Sequence, residues 1–247
     1  MGDILFVDRR TGEFYRRNNS SPRRNYFDVS SYADEPFNRL SPFTYSLDFQ
    51  IPVPGMECTH AHSVESIWQG LKVINGKTQP TRFKKRPKKR RGEVEGHRYK
   101  ERILGVQEAR ENIYIPAYTS FLDNFAPKEA IDHLLSEQRL GKTVHLYDVE
   151  DNGDLQDPAP LAHASVLATY LNLKIFNQTC DAITENEELL FRILEQDTSI
   201  EDKTGQVEGL IQLSGMRDAV RYHCVEHPQG DVEYSIGTLL AERLEDD

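Results

Sequence analysis

The stretch HSVESIWQGLKVING, from His62 to Gly76, constrains the fold most strongly because its apolar residues recur at helical spacing. The apolar stripe consists of Val64, Ile67, Leu71 and Ile74. Residues three and four positions apart share one face of a helix, so the pattern predicts an amphipathic helix whose stripe packs against a core. Ser63 precedes the first apolar residue and can cap the helix, which fixes where it begins.

A second face of this predicted helix carries Glu65, Trp68, Gln69 and Lys72. At about 100° per residue these side chains lie away from the apolar stripe and can converge on one patch. Two interpretations stay open at this point. Most surface helices have a solvated polar face, and a carboxyl, an indole, an amide and an amine on one patch can also form a ligand site.

The chain has 247 residues, 38% of them hydrophobic and 28% charged, which suits either one large domain or one domain with an appendage. Its three cysteines lie far apart, so we expect no disulfide framework and a reducing, cytoplasmic compartment. We expect no membrane association, because no apolar run is long enough to span a bilayer. The N-terminal residues also lack the pattern of a secretory signal.

The periodicities predict an α+β protein that is mostly helical, with small antiparallel β elements. Ile4–Arg17 is predicted to form an N-terminal hairpin around Thr11-Gly12. Helices are predicted at 102–112, 127–138 and 163–178, and a strand in KTVHLYDV, which runs into an acidic turn. We expect residues 1–178 to form the core domain. Residues 179–247 are predicted to form an acidic appendage, with helices at 187–196, 206–222 and 235–244.

A basic run stands out in a chain whose net charge is −10. Its cations are Arg82, Lys84, Lys85, Arg86, Lys88, Lys89, Arg90 and Arg91. Pro87 interrupts the run and Gly92 follows it, so we predict a loop, called the basic loop below. Such a cluster can contact the phosphates of a ligand or of nucleic acid. A solvated loop or a nuclear import signal has the same composition.

Cys58, His60 and His62 alternate along the chain and could present three zinc ligands on one face of a strand. A fourth ligand at fitting local spacing is missing from the sequence, so we expect no metal. The sequence also contains no glycine-rich phosphate loop, nucleophile elbow or H-E-x-x-H motif. We therefore expect no bound cofactor.

Two segments together resemble the NADAR/YbiA-like family of N-glycosidases. FNRLSPF, at 37–43, is similar to the family's aromatic and Ser/Pro loop, and HSVESIWQGLKV is similar to its helix of the form S-V-E-x-x-(aromatic)-Q-x-x-K. Looser similarity continues through LLSEQRLGKTVHLYDVEDNGDL and HASVLATYLN, so the resemblance covers roughly residues 37 to 172. This chain has EDNGD where the family has Asp-Trp-Gly, and the basic loop looks like an insertion.

The resemblance implies cleavage of an N-glycosidic bond to ribose in an ADP-ribosyl or phosphoribosyl compound, including ADP-ribose on nucleobases or DNA. Lys72 then corresponds to the family's nucleophile, and an amine that forms an imine with opened ribose needs a lowered pKa. Glu65 is expected to move protons. The second carboxylate is expected at Asp151 or Asp148.

The same resemblance suggests the substrate-binding residues. Trp68 is expected to stack on a base or cover the ribose, and Gln69 to hydrogen-bond the ribose hydroxyls. Ser41 and Phe43 come from the aromatic loop, and Arg98 or Arg102 is expected to hold phosphates. Two alternatives remain: direct hydrolysis by water between two carboxylates, and a non-catalytic module that binds ADP-ribose or nucleic acid through the basic loop.

Overall fold

The computed structural model describes residues 3–18 and 21–185. The helices are α1 (Arg9–Asn18), α2 (Val64–Leu71), α3 (Val106–Ala109), α4 (Ile115–Asn124), α5 (Lys128–Arg139) and α6 (His163–Glu185). The strands are β1 (Ile4–Phe6), β2 (Arg24–Asp28), β3 (Ile51–Pro52), β4 (His60–Ala61), β5 (Lys72–Val73), β6 (Gly96–Tyr99), β7 (Arg102–Leu104) and β8 (Thr143–Tyr147). A π-helical turn, Arg110–Tyr114, joins α3 to α4. The predicted α+β class is confirmed.

The chain divides into two compact units, Gly2–Leu171 and Met1 with Asn172–Asp247. In the second unit, the described residues are the last part of α6. The appendage helices predicted at 187–196, 206–222 and 235–244 lie outside the described residues, and the predicted domain boundary after residue 178 stays a prediction. No helix among the described residues is long and apolar enough to cross a membrane.

One of the three small sheets corrects the expectation of purely antiparallel β elements. In the order β1-β8-β2, both outer strands run parallel to β8. Parallel strands require a crossover connection, and α1 supplies it between β1 and β2, which lie on either side of β8. Val144 and Leu146 of the central strand are fully buried. The pair β3-β4 and the sheet β5-β6-β7 are antiparallel, as predicted.

The predicted N-terminal hairpin is wrong, because only its first strand forms. The predicted turn glycine, Gly12, lies inside α1 and packs against the ring of Tyr147. A Cβ at this position would lie 2.3 Å from the Tyr147 ring, so the glycine permits close helix–sheet contact. Glycine at a packing contact and glycine at a turn look the same in a sequence.

The helix in HSVESIWQGLKVING forms as α2, although it is shorter than the pattern predicts. Ser63 caps it by accepting a hydrogen bond from the Ser66 N–H at 3.1 Å. Val64 and Ile67 are buried, as predicted. The helix ends at Leu71, and the next residues form β5.

Elsewhere the predicted elements form with shifted boundaries. The helices predicted at 127–138 and 163–178 correspond to α5 and α6, and the strand in KTVHLYDV is β8. The helix predicted at 102–112 begins late, because Arg102–Leu104 pairs with β6 as β7. The basic loop has no helix beyond its first residue, Arg82, as predicted.

Candidate functional site

A half-enclosed cavity of about 530 Å³ lies beside α2 and β5, within the unit Gly2–Leu171. Glu65, Trp68, Gln69 and Lys72 all line it. Glu65 and Gln69 are 6% and 2% exposed, so this second face of α2 is buried and not an ordinary solvated surface. The structure thus brings together the four side chains that the sequence spacing predicts on one face of the helix.

The Glu65 carboxyl is held in place and is poorly solvated. Its Oε1 accepts a hydrogen bond from Gln69 Nε2 at 2.8 Å, and its backbone N–H donates to the Pro42 carbonyl at 3.0 Å. Burial raises the pKa of Glu65 to about 6, although the Gln69 hydrogen bond and the charge of Lys72 oppose this rise. A carboxyl with such a pKa can hold or release a proton near neutral pH.

The Gln69 amide is already committed to contacts within the protein. Besides its bond to Glu65, its Oε1 accepts the backbone N–H of Arg90 at 2.8 Å. These two contacts fix the orientation of the amide, and through it that of the carboxyl. The structure therefore gives Gln69 a positioning contact with Glu65, whereas the sequence suggested ribose binding.

Lys72 lies one residue beyond α2, where it caps the helix and opens β5. It pairs directly with His97 of β6, so both side chains project from the same face of the sheet, toward the cavity. Burial lowers the pKa of Lys72; the charge of Glu65 opposes this, and Arg90 and Lys89 lower the pKa further. No carboxylate oxygen of a described residue lies within 4.0 Å of the Lys72 amine.

Aromatic rings form one wall of the cavity. Trp68 stacks on His97 with ring centroids 3.7 Å apart, and the ring of Tyr114 meets Trp68 edge-on at 5.6 Å. Burial, with the nearby charges of Lys72 and Arg90, lowers the pKa of His97 to about 3, so this imidazole is neutral at physiological pH. Phe43 also lines the cavity, as the sequence suggested.

A second acid–base pair, Asp148 and His163, borders the same cavity. His163 lines it, and its Nδ1 lies 2.8 Å from Asp148 Oδ2, while its Nε2 contacts the Val29 carbonyl at 2.8 Å. Burial lowers the pKa of His163, but the contacts with Asp148 and Val29 outweigh it and the net pKa is raised. Burial likewise raises the pKa of Asp148, but His163 and two backbone N–H donors lower it overall.

Arg110 begins the π-helical turn and is only 3% exposed. Its guanidinium donates hydrogen bonds to the backbone carbonyls of Asp154, Leu155, Asp157 and Ala159. These contacts hold the segment that contains Pro158 and Pro160, which also line the cavity. The guanidinium is committed to shaping this wall.

The basic loop is fastened to the body of the protein rather than free. The ring of Phe83 packs against Gly70, where a Cβ would lie 2.3 Å from it, and Ser66 Oγ donates to the Lys85 carbonyl at 2.9 Å. The Arg90 guanidinium donates to the carbonyls of Gln69 and Lys72, so it satisfies the end of α2.

The cations of the basic loop fall into two groups. Arg82, Arg86, Lys89 and Arg90 have partners within the chain. Lys84, Lys85, Lys88 and Arg91 are exposed and have no side-chain partner among the described residues. The second group can contact an external polyanion without breaking internal contacts.

Three residues expected at the site do not line the cavity. Asp151 is exposed, and its carboxylate accepts the Arg9 N–H at 2.7 Å at the start of α1. Ser41 is buried and accepts the Phe43 N–H at 3.3 Å. Arg98 directly follows His97 in β6, and consecutive residues of a strand face opposite sides. From the acidic turn, Glu150 reaches the cavity instead.

Four further residues of the site were missed from the sequence: His97, Arg110, Tyr114 and His163. Arg110 lies within the helix predicted at 102–112 and Tyr114 lies just after it, and the amphipathic pattern there does not mark either residue as buried at a cavity. His163 is the first residue of the helix predicted at 163–178, whose apolar pattern does not mark it as a site residue. The sequence around His97 likewise gave no signal.

The described part of the chain contains no cluster of side chains that could form the zinc site considered for Cys58, His60 and His62. No three His, Cys, Asp or Glu side chains there lie close enough together to hold a metal ion. Of the three candidates, Cys58 is exposed, and His62 Nδ1 contacts the Phe49 carbonyl at 2.9 Å.

The family model described as "Family of unknown function (DUF6939)" matches residues 10–167. This match covers more than half of the 247 residues and includes the whole cavity lining, so the chain belongs to that family. No curated protein and no solved structure matches the chain.

Proposed function

We propose that this member of the family of unknown function (DUF6939) is an N-glycosidase of the NADAR/YbiA-like type, which hydrolyses the bond between a base and ribose in an ADP-ribosyl or phosphoribosyl compound. The observation that carries the proposal is the pairing of Glu65 and Lys72 in one cavity, where the pKa of the acid is raised and that of the amine is lowered. The cavity, at about 530 Å³, falls in the size range of small-molecule sites.

The two pKa shifts fit the opening step of such a reaction. A neutral Lys72 amine attacks the anomeric carbon, and the bond from that carbon to the base nitrogen breaks with its electron pair going to the base. Glu65, in its protonated form, donates the proton that the departing base requires. Burial favours the neutral form of both groups, which is the form that each needs.

The later steps regenerate the enzyme. The ribosylated amine loses a proton, and the ring oxygen leaves the anomeric carbon and is protonated, which gives an imine between Lys72 and the open sugar. Water then adds to the imine carbon, and the amine departs to release ribose as its aldehyde. The Glu65 carboxylate takes a proton from this water as it adds, and gives a proton to the amine as it departs.

Direct hydrolysis is the alternative chemistry at the same cavity. It requires a second carboxylate to activate water across the anomeric carbon from Glu65. Asp151 does not reach the cavity, whereas Glu150 does, and an oxygen of Glu150 lies 3.3 Å from Lys89 Nζ. Trapping with borohydride separates the mechanisms, because only the imine route leaves ribose attached to Lys72.

The proposal is tested with a substrate panel of ADP-ribosylated DNA, free nucleotides and phosphoribosyl riboflavin-pathway intermediates, with products identified by mass spectrometry. We expect release of a free base or of free ADP-ribose by the wild type, and loss of release in Lys72→Met. Lys128→Met is the matched control, because it removes an exposed amine outside both the cavity and the basic loop. Absence of product from every substrate would contradict the proposal.

A binding module without turnover is the second candidate function. The four exposed cations of the basic loop that lack internal partners favour it, since they can contact the phosphates of a nucleic acid. This candidate predicts salt-sensitive binding to nucleic acid that Lys88→Met weakens, without release of base. Salt-sensitive binding together with base release would instead show that the loop serves the enzyme.

A further inference from the structure

Tyr114 is the last residue of the π-helical turn and lines the cavity beside Trp68. It is 8% exposed. Buried tyrosines normally hydrogen-bond their hydroxyl, yet the Tyr114 hydroxyl has no hydrogen-bond partner among the described residues. π-Helical turns are frequent at functional sites.

Tyr118, one helical turn further on, provides an internal comparison. Its ring stacks at 6.0 Å on that of Tyr114, and it is fully buried. The Tyr118 hydroxyl donates a hydrogen bond of 2.7 Å to the Leu40 carbonyl. Two neighbouring tyrosines therefore differ in one respect: the protein satisfies the hydroxyl of Tyr118 and leaves that of Tyr114 uncommitted.

The other neutral polar groups of the cavity are less available to a ligand. Both Gln69 contacts are internal, and the two ring nitrogens of His97 are closed off from solvent and lack partners among the described residues. The Tyr114 hydroxyl is not closed off in this way. A polar group that reaches the cavity and has no internal partner is a group that a ligand can satisfy.

The chemistry of this phenol restricts what it can bind. Burial raises the pKa of Tyr114 well above its ordinary value, and the charges of Tyr118 and Glu65 raise it further. The group therefore stays neutral and acts as a hydrogen-bond donor or acceptor. Tyr114 and Glu65 line the same cavity, so both can contact one ligand. The hydroxyl of ribose nearest to the anomeric carbon, apart from any on that carbon itself, is the 2-hydroxyl, which can both donate a hydrogen bond to a phenol and accept one from it.

We propose that the Tyr114 hydroxyl binds the 2-hydroxyl of the ligand's ribose and makes the cavity selective for ribose over 2-deoxyribose. This role rests on the N-glycosidase proposal, because it requires a ribose whose anomeric carbon lies at Glu65 and Lys72. Tyr114 would be a specificity-determining residue, since hydrogen bonds to a sugar 2-hydroxyl also strengthen as a glycosidic bond breaks.

The test is calorimetric titration of the full chain with ADP-ribose, ribose 5-phosphate and 2-deoxyribose 5-phosphate. We expect the wild type to prefer ribose 5-phosphate over its 2-deoxy form. Tyr114→Phe, which removes only the oxygen, should weaken ADP-ribose binding roughly 3- to 10-fold and remove this preference. Its Tm should stay within about 2 °C of the wild type, because no internal hydrogen bond is lost.

Tyr118→Phe is the matched control, and it should lower the Tm while leaving the affinity of the folded protein for ADP-ribose unchanged. Equal ADP-ribose affinity of the wild type and Tyr114→Phe, or no preference for ribose in the wild type, would overturn the role of Tyr114 alone. If neither ADP-ribose nor ribose 5-phosphate binds to the wild type, the N-glycosidase proposal itself fails, and the role of Tyr114 fails with it.

Discussion

Two acid–base pairs border the same cavity, and the net pKa shifts within them are opposite. In the pair Glu65 and Lys72, the pKa of the acid is raised and that of the base is lowered, so both groups are shifted toward neutrality. In the pair Asp148 and His163, the pKa of the acid is lowered and that of the base is raised, so both are held in their charged forms.

Direct contact explains this difference. His163 and Asp148 touch at 2.8 Å and share further hydrogen bonds with the backbone, which compensate for the loss of water. Glu65 and Lys72 have no such contact, so desolvation prevails. A buried pair in full contact stabilises structure, whereas a pair held apart keeps both groups available to a substrate.

The largest effect that we predict is on turnover in Glu65→Gln. Replacing the proton donor by an amide should lower the rate of base release by on the order of 10² to 10⁴-fold. The same change should stabilise the fold near pH 7 by about 2 kcal/mol, because it removes a buried carboxylate. Urea denaturation and a base-release assay on one preparation measure both. If Glu65→Gln were inactive and also less stable than the wild type, Glu65 would have a structural role like that of Asp148 and His163.

His163→Ala should destabilise the fold, whereas Glu65→Gln should stabilise it. Removing the imidazole leaves the Asp148 carboxylate buried without its partner, which should cost about 3 to 5 kcal/mol of unfolding free energy. Urea denaturation at pH 7 measures the loss. A loss below about 1 kcal/mol would show that the contact between His163 and Asp148 does not stabilise their charged forms. The proposed difference between the two acid–base pairs would then be wrong.

The pH dependence of the unfolding free energy distinguishes Glu65 from the pair Asp148 and His163 without any mutation in that pair. The folded pKa of Glu65, about 6, is above its ordinary value of 4.5, so its contribution is fully present below pH 4.5 and lost as pH rises through 6. Subtracting the Glu65→Gln profile from that of the wild type isolates this change, which we expect to be about 2 kcal/mol. A flat difference between pH 4 and 7 would contradict the raised pKa.

The pair Asp148 and His163 should give a different profile. The contribution of His163 is fully present below pH 6.5 and lost as pH rises through its raised folded pKa. The contribution of Asp148 is present above pH 3.8 and lost as pH falls through its lowered folded pKa. This pair should therefore stabilise the protein most between about pH 4 and 6.5. Urea denaturation of Glu65→Gln between pH 3 and 9 measures this window.

The smallest effect should come from Lys89→Met. The charge of Lys89 lowers the pKa of Lys72, so removing it should raise that pKa slightly. The limb of the pH–rate profile on which Lys72 must lose its proton should then move to higher pH. Lys88→Met is the control, since Lys88 is exposed and does not line the cavity. An equal movement of the limb in both variants would mean that general surface charge is responsible.

The sequence could predict the side chains that one short helix brings together. Glu65 and Gln69 lie four positions apart in α2, so helical geometry alone determines that they meet. Lys72 follows directly after the helix, and its pairing with His97 of β6 directs it toward the same cavity. Asp151 was misplaced because its position depends on a hydrogen bond to Arg9, 142 positions away. Nothing local indicates that Glu150, and not the next residue, faces the cavity.

The same limit applies to the rest of the fold and the site. The long apolar patterns of α5 and α6 are strong local signals, and both helices form where expected. The hairpin prediction failed because Gly12 serves a contact with Tyr147, which lies far along the chain. The difference between Tyr114 and Tyr118 likewise depends on the distant carbonyl of Leu40, which no local pattern reveals.

The most direct measurement is the rate of base release by Lys72→Met beside that of the wild type, with the Tm of each recorded. The N-glycosidase proposal with a lysine nucleophile predicts that release is lost while the Tm is unchanged or higher. The reason is that an apolar side chain replaces a half-buried amine that has no ion-pair partner among the described residues. Full release by a well-folded Lys72→Met would contradict the proposed nucleophile.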